Sequence, residues 1–258
     1  MIKAFLFDLD GVFYVDEKMI PGANETLDWL KTKQIEYRFI TNNTTLPRRK
    51  LTHKLNILGL NVKEEELVSA NYAGVLFLNK KGFKSCRLIL KETAKEDYKG
   101  FNTSKENPEA IVIGDIGDNW NYELLNQLMK EILAGAKMVA LHKGRYFQTE
   151  KGLTIDSGAF VAALEHSTET SALVVGKPEK PFFELATQGI NCKPNQIAML
   201  GDDLINDIGG AQKMGFQTFL VKTGKFMEHI YKKSEIRPNH LIENIGKLRN
   251  YILEKGLI

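Results

Sequence analysis

Cysteine is nearly absent from this chain of 258 residues, which holds only two, Cys86 and Cys192. They are far apart and form no CxxC pair, so neither a disulfide framework nor a cysteine-rich zinc site is expected. The five histidines are scattered, with no HxH or HExxH group, which argues against histidine-bound zinc. Long hydrophobic runs are lacking too. No stretch approaches the ~18–20 apolar residues that span a bilayer. Asp8 and Asp10 interrupt the apolar N-terminus, so it does not read as a signal peptide. Charge of one sign is not in excess, since the formal net charge is +3 with acids and bases interleaved. No dense basic stripe marks a nucleic-acid surface, and Lys80-Lys81 and Lys232-Lys233 read as solvated faces. Repeats and low-complexity tracts are also missing. These absences leave a cytoplasmic globular protein with no membrane or nucleic-acid partner as the expectation.

What is present is ordinary core-forming material, with 43% hydrophobic and 26% charged residues. Short apolar runs recur at Ala4–Phe7, Tyr37–Ile40, Arg87–Leu90, Ala110–Ile113, Met138–Leu141, Ala172–Val175, Ile197–Leu200 and Thr218–Val221. Their length and their β-branched or aromatic content suit buried strands. Helical spacing lies between them. Leu27 and Leu30 share one face of 23–33, as do Leu51, Leu55 and Leu58 in 48–58, and Leu124, Leu128 and Ile132 in 123–134. Alternating strands and helices predict an α/β fold with largely parallel sheets. Breaks at Asn79–Gly82 and Gly176-Lys177-Pro178 bracket a stretch with its own strand signals, so 81–175 reads as an insert in a host domain. Residues 149–156 read as a hairpin or loop.

Four strand ends carry chemistry. The first run ends in Asp8-Leu9-Asp10-Gly11, two carboxylates at i and i+2 followed by a glycine that allows a sharp turn. Alone, this pattern is as easily a set of surface acids. A calcium loop is excluded by its origin in a strand and by the missing bidentate glutamate. The second run ends in Thr41-Asn42-Asn43, which can hold phosphate oxygens or form an Asx turn or helix cap. Lys177 follows the run at 172–175 and is either a phosphate clamp or an exposed lysine. The run at 197–200 ends in Gly201-Asp202-Asp203, with Asp207 four residues on. Asp207 can cap a helix, but a charge on Asp202 at a strand end is costly without a cation. In open α/β sheets, ligands bind beyond the carboxyl ends of the strands. Acid, hydroxyl-amide, lysine and acid at four such ends match what phosphoryl transfer with Mg²⁺ needs.

In that order these motifs closely resemble the haloacid dehalogenase (HAD) superfamily, over nearly the whole chain. Asp8-Leu9-Asp10-Gly11 resembles its first motif, Thr41-Asn42 its second, Lys177 its third and Gly201-Asp202-Asp203 with Asp207 its fourth. Val12 stands where many members have threonine. The long stretch between the second and third motifs is similar to the NagD-like subclass (IIA). Further local matches are His142-Lys143-Gly144-Arg145-Tyr146, Val175–Glu179 and Val221-Lys222-Thr223-Gly224-Lys225.

The resemblance implies a three-layer Rossmann-like core over 1–80 and 176–258, and an inserted α/β cap of the C2 type over 81–175. It implies a phosphatase in which Asp8 is the nucleophile, Asp10 the general acid and base, and Lys177 the catalytic cation. Mg²⁺ would be held by Asp8, Asp202 and the backbone carbonyl of Asp10. Asp203 and Asp207 would orient Lys177 or metal waters, with direct ligation by Asp203 the alternative. Thr41, Asn42, Asn43 and Gly11 would contact the phosphate. Arg145 and Tyr146, beside Lys143, would contact the leaving group from the cap. Asp156-Ser157 is a second candidate there, or a helix start capped by Ser157. The substrate implied is a small phosphorylated metabolite, either a monoester, a phosphoamide or pyrophosphate, and a homodimer is compatible with the subclass. The same residues could serve a phosphotransferase or mutase. A non-catalytic phospho-ligand binder would have no use for Asp8 and Asp10.

Overall fold

A computed structural model describes residues 1–103, 106–149 and 152–258. In chain order its strands are β1 (Ala4–Asp8), β2 (Tyr14–Val15), β3 (Lys18–Met19), β4 (Glu36–Thr41), β5 (Leu67–Ser69), β6 (Cys86–Ile89), β7 (Ala110–Ile113), β8 (Lys137–Ala140), β9 (Tyr146–Thr149), β10 (Gly152–Ile155), β11 (Leu173–Val174), β12 (Ile197–Gly201), β13 (Gln217–Val221) and β14 (His240–Ile242). The eight runs expected from sequence all fall on strands, within a residue or two at the ends. β5 and β14 escaped that reading because three residues are too few to show a period. The hairpin expected at 149–156 is the β9–β10 pair, and its tip at 150–151 lies outside the described residues.

The chain divides into two compact units. The first comprises Met1–Thr41, Arg49–Val68 and Ala186–Ile258, the second Asn42–Arg48 and Ser69–Leu185. The expected insert, 81–175, lies wholly within the second unit, which also takes in 42–48, 69–80 and 176–185.

The first unit is built on a six-stranded sheet of order β14-β13-β12-β1-β4-β5. β1 pairs in parallel with both β12 and β4, and β13 in parallel with β12 and β14. Every residue of β1 is buried, as a central strand requires. Phe5 and Phe7, two apart and therefore on one face, stack at 5.3 Å. Phe13 packs edge-on against both Phe7 (5.5 Å) and Phe39 (5.3 Å). This aromatic layer fixes the strand that ends in Asp8. Helix Ala23–Thr32 buries Leu27 and Leu30, the face its spacing predicted, together with Ala23, Thr26 and Trp29.

The second unit holds a four-stranded sheet of order β11-β8-β7-β6, parallel throughout. Ile111, Ile113, Leu128, Ile132, Val161 and Leu164 join this sheet to two helices. Those helices start where polar side chains satisfy their free amides. Asn121 accepts from Leu124 N (2.9 Å) ahead of helix Tyr122–Leu133. Asp156 accepts from Ser157 N (2.6 Å) ahead of helix Ser157–Thr168, so the cap of that helix is Asp156 and not Ser157. Cys86 is buried and Cys192 half-buried, both as free thiols. Among the described residues no helix is long and apolar enough to cross a membrane.

Candidate functional site

The carboxyl ends of β1 and β12 lie side by side in the first unit, because the two strands pair in register from Ala4 with Ile197 to Phe7 with Leu200. Each strand runs directly into an aspartate, Asp8 and Asp202, and both side chains are buried. A third buried acid, Asp207, completes the cluster. Asp8, Asp202 and Asp207 each offer a carboxylate oxygen, and these oxygens lie within 4.8 Å of one another.

Three buried negative charges this close cannot persist without compensation. Asp202 registers the conflict. Its burial, then the charges of Asp8 and Asp207, push its pKa up to about 8. Its Oδ2 accepts from Lys225 N at 2.7 Å. Its Oδ1 is buried and has no hydrogen-bond partner. A buried carboxylate oxygen without a hydrogen-bond partner, on a residue clustered with two further carboxylates, fits a hard divalent cation, and the donor set is all oxygen, as Mg²⁺ prefers.

The fourth-motif acids divide their work. Asp203 does not join the cluster. Its Oδ1 accepts from Ile205 N (3.0 Å) and Asn206 N (2.9 Å), and its Oδ2 from Asn206 Nδ2 (2.8 Å). It therefore caps the π-helical turn over Leu204–Gly209, and those bonds, with Lys225 nearby, hold its carboxyl below the ordinary range against its burial. Both Asp203 oxygens thus serve the turn that follows, which favours a supporting role over direct metal ligation. Asp207 points the other way, into the cluster, and its Oδ2 accepts from Asp203 N at 3.1 Å.

The carboxyl of Asp10 is not part of the three-acid cluster. It is solvent-accessible, yet partial desolvation, followed by the charge of Asp8, raises its pKa. Tyr14 lies next to it in a bridge to Asp10. Burial and the charges of Asp10 and Asp8 raise the Tyr14 phenol, so it stays neutral.

Gly11 adopts φ +79° and Gly224 φ +58°, conformations that disfavour any side chain. A Cβ on either would reach within 2.0–2.1 Å of Asp202 Oδ2. Thr223 Oγ1 donates to Gly11 O, tying the loop after β13 to the loop after β1. Lys225, next in that loop, has its Nζ 3.3 Å from Asp203 Oδ2. Desolvation opposes its charge, but Asp203, Asp202, Asp8 and Asp207 outweigh this and raise its pKa. Thr223-Gly224-Lys225 had no role expected from the sequence. The available signal was its place, since it follows a strand of the same parallel sheet.

Thr41 is the last residue of β4. Asn42, Asn43 and Lys177 belong to the second unit. There Asn42 Nδ2 donates to Lys177 O (2.9 Å) and Asn42 Oδ1 accepts from Lys177 N (2.9 Å). The second and third motifs are thereby joined backbone to side chain, and Lys177 is buried. Asn43 Oδ1 accepts from Thr45 N (3.1 Å) and Leu46 N (3.0 Å), which is an Asx turn. Arg145 and Tyr146 are both exposed, Tyr146 at the start of β9. Lys143 is engaged with Glu165 at 2.7 Å.

Residues 5–104 match the family model of haloacid dehalogenase-like hydrolases, and residues 174–248 match a second HAD-hydrolase-like model. The human haloacid dehalogenase-like hydrolase domain-containing protein 2 is 37% identical over 253 residues, covering 98% of this chain and 96% of its own. The chain belongs to the haloacid dehalogenase-like hydrolases. The human phospholysine phosphohistidine inorganic pyrophosphate phosphatase is 30% identical, covering 98% of this chain and 95% of its own. Among solved structures, a 4-nitrophenylphosphatase from Thermotoga maritima superposes with a TM-score of 0.88 at 27% identity, over 96% of this chain and 97% of that one. A p-nitrophenyl phosphatase from Archaeoglobus fulgidus gives 0.89 at 25%, over 97% and 99%. Within the HAD hydrolases this chain is a phosphatase of the NagD-like group, with an α/β fold of largely parallel sheets.

Proposed function

We propose that this HAD phosphatase uses Mg²⁺ and an aspartyl-phosphate on Asp8 to hydrolyse small phosphate monoesters. The observations that carry the reading are the buried trio of Asp8, Asp202 and Asp207 and, within it, the buried and partnerless Oδ1 of Asp202. When bound, the cation would offset the carboxylate charges and draw electron density from the phosphoryl oxygens. Asp8, Asp202 and the Asp10 carbonyl are the proposed ligands, and Asp207 joins them on its place in the cluster.

A carboxylate oxygen of Asp8 attacks phosphorus as the bond to the leaving oxygen breaks. Asp10 gives its proton to that oxygen, a task its raised pKa suits. Water then attacks the phosphorus of the aspartyl-phosphate, Asp10 takes the water's proton, and phosphate leaves with Asp8 restored. Lys177, held by Asn42, is proposed as the cation that offsets charge on the transferring group. Thr41, Asn42 and Gly11 are proposed as phosphate contacts. Asn43 contributes through the turn it stabilises. A cap role for 81–175, with Arg145 and Tyr146 on the leaving group, belongs to the same proposal, as does a small metabolite as substrate.

The test is phosphate release from 4-nitrophenyl phosphate with Mg²⁺, with EDTA, and with Asp8→Asn. Release only by the wild-type protein with Mg²⁺ is expected, and equal release in all three arms refutes the mechanism. Phosphoamide and pyrophosphate arms then define the substrate class, which the phospholysine phosphohistidine inorganic pyrophosphate phosphatase likeness makes worth testing.

A further inference from the structure

His142 lies in the second unit, outside the acid cluster, and its side chain is only 13% exposed. It stands between β8 and the 143–145 loop that leads into β9. Its Nδ1 accepts from Gly144 N at 3.1 Å. A ring nitrogen that accepts leaves the other to carry the hydrogen in the neutral imidazole. That nitrogen, Nε2, lies 3.4 Å from Ser157 Oγ and 3.5 Å from Asp156 Oδ1. The ring therefore bridges the loop and the capped start of helix Ser157–Thr168.

Three further contacts close the same junction. Asp156 N donates to Arg145 O at 3.2 Å. Lys143 Nζ meets Glu165 Oε2 at 2.7 Å on the same helix. The backbones also touch, because a Cβ on Gly158 would come within 2.3 Å of Gly144 O, and one on Gly144 within 2.1 Å of Asp156 Oδ2. Lys143 and Gly144 are thus pinned, while the Arg145 side chain stays exposed and Tyr146 is 57% exposed.

We propose that His142 is a positioning residue that locks the 143–146 loop to the start of helix Ser157–Thr168, so that Arg145 and Tyr146 meet the substrate's leaving group in a fixed geometry. The inference rests on the phosphatase reading for its substrate, but the lock itself does not. An acceptor at the Nδ1 position holds the Gly144 amide, and a polar tip toward Asp156 and Ser157 holds the helix start. His142→Phe keeps the ring volume and removes both polar functions. His142→Asn keeps an acceptor close to Nδ1.

Two readouts test it. Limited trypsin digestion reads cleavage after Lys143 and Arg145 without any substrate. His142→Phe is expected to speed cleavage there, and His142→Asn to restore much of the protection. Steady-state hydrolysis of 4-nitrophenyl phosphate by His142→Phe should show KM raised about fivefold, the size of one lost hydrogen bond, with kcat within about twofold. In an Arg145→Ala/Tyr146→Ala background the same change should leave KM unaltered, since nothing remains to be positioned. Unchanged trypsin cleavage in His142→Phe overturns the lock. Faster cleavage with unchanged KM, or a full additive effect in the double-alanine background, overturns the positioning role. A wild-type protein inactive on 4-nitrophenyl phosphate refutes the phosphatase reading instead, and with it the positioning role, while the digestion still decides the lock.

Discussion

Gly11 and Gly224 stand back to back beside Asp202, so close that a Cβ on Gly224 would lie 2.5 Å from the Gly11 Cα and 2.1 Å from the Asp202 carboxylate. Two loops that are 213 positions apart in the chain thus share one wall of the acid cluster. A methyl group there must displace Asp202 or open the pinch, and it must also adopt a left-handed backbone, at ~1–2 kcal/mol. Gly224→Ala is therefore expected to lower kcat/KM for 4-nitrophenyl phosphate about 100-fold, the cost of misplacing a site group by about 1 Å. Mg²⁺ affinity from titration calorimetry should fall in parallel. Wild-type affinity in this variant would show that the wall is not needed.

Asp202 makes stability depend on pH. Its folded pKa is raised to about 8, so between the unfolded carboxylate value and that point the folded state binds the extra proton. Stability from this group is full at low pH and is lost as pH rises toward about 8. In EDTA, Tm should fall from pH 5 to pH 8.5, and Asp202→Asn should flatten that slope. Mg²⁺, which binds the ionised form, should raise Tm more at pH 8 than at pH 5.5. Parallel pH profiles for the wild type and Asp202→Asn would contradict the assignment.

Asp203 and Asp207 should separate cleanly. Asp203→Ala removes a cap and should cost about 1 kcal/mol in urea unfolding, with Mg²⁺ affinity changed only a few-fold. Asp207→Asn withdraws a charge from the cluster and should weaken Mg²⁺ binding at least about tenfold, the range for removing a ligand or its direct support. Equal loss of affinity in the two variants would undo the division of roles.

Asp10→Asn keeps the backbone carbonyl and removes the proposed proton carrier. We expect kcat to fall about 10²–10⁴-fold, the usual worth of general acid–base catalysis, while Mg²⁺ affinity largely survives. Loss of affinity as deep as in Asp202→Asn would count against the roles given to both residues.

Much of this was readable in advance because parallel strands announce themselves as short, fully apolar runs, and the chemistry of an open α/β sheet collects where they end. Asp8 and Asp202 were found that way, and so was the helical face of 23–33. The roles of Asp203 and Asp207 were not. They are four residues apart, and only the π-helical turn between them decides which carboxylate turns inward. The loop at Thr223–Lys225 was passed over because its contribution is a backbone amide and a glycine's missing side chain. The lock around His142 depends on a helix start 15 residues later folding back onto it, which no local pattern encodes.

β1 is a central strand, with β4 on one side and β12 on the other. The first neighbour is made within the next few dozen residues, but β12 begins only at Ile197 and the Gly224 loop follows it. At a ribosome's ~5–20 residues per second, Asp8 waits roughly 10–40 s for Asp202 to be synthesised. During that time the second unit, whose last residue is Leu185, has its whole sequence available. The acid cluster is therefore completed only after the whole second unit has been made, and a nascent chain stalled before Ile197 carries Asp8 with neither Asp202 nor Asp207 beside it.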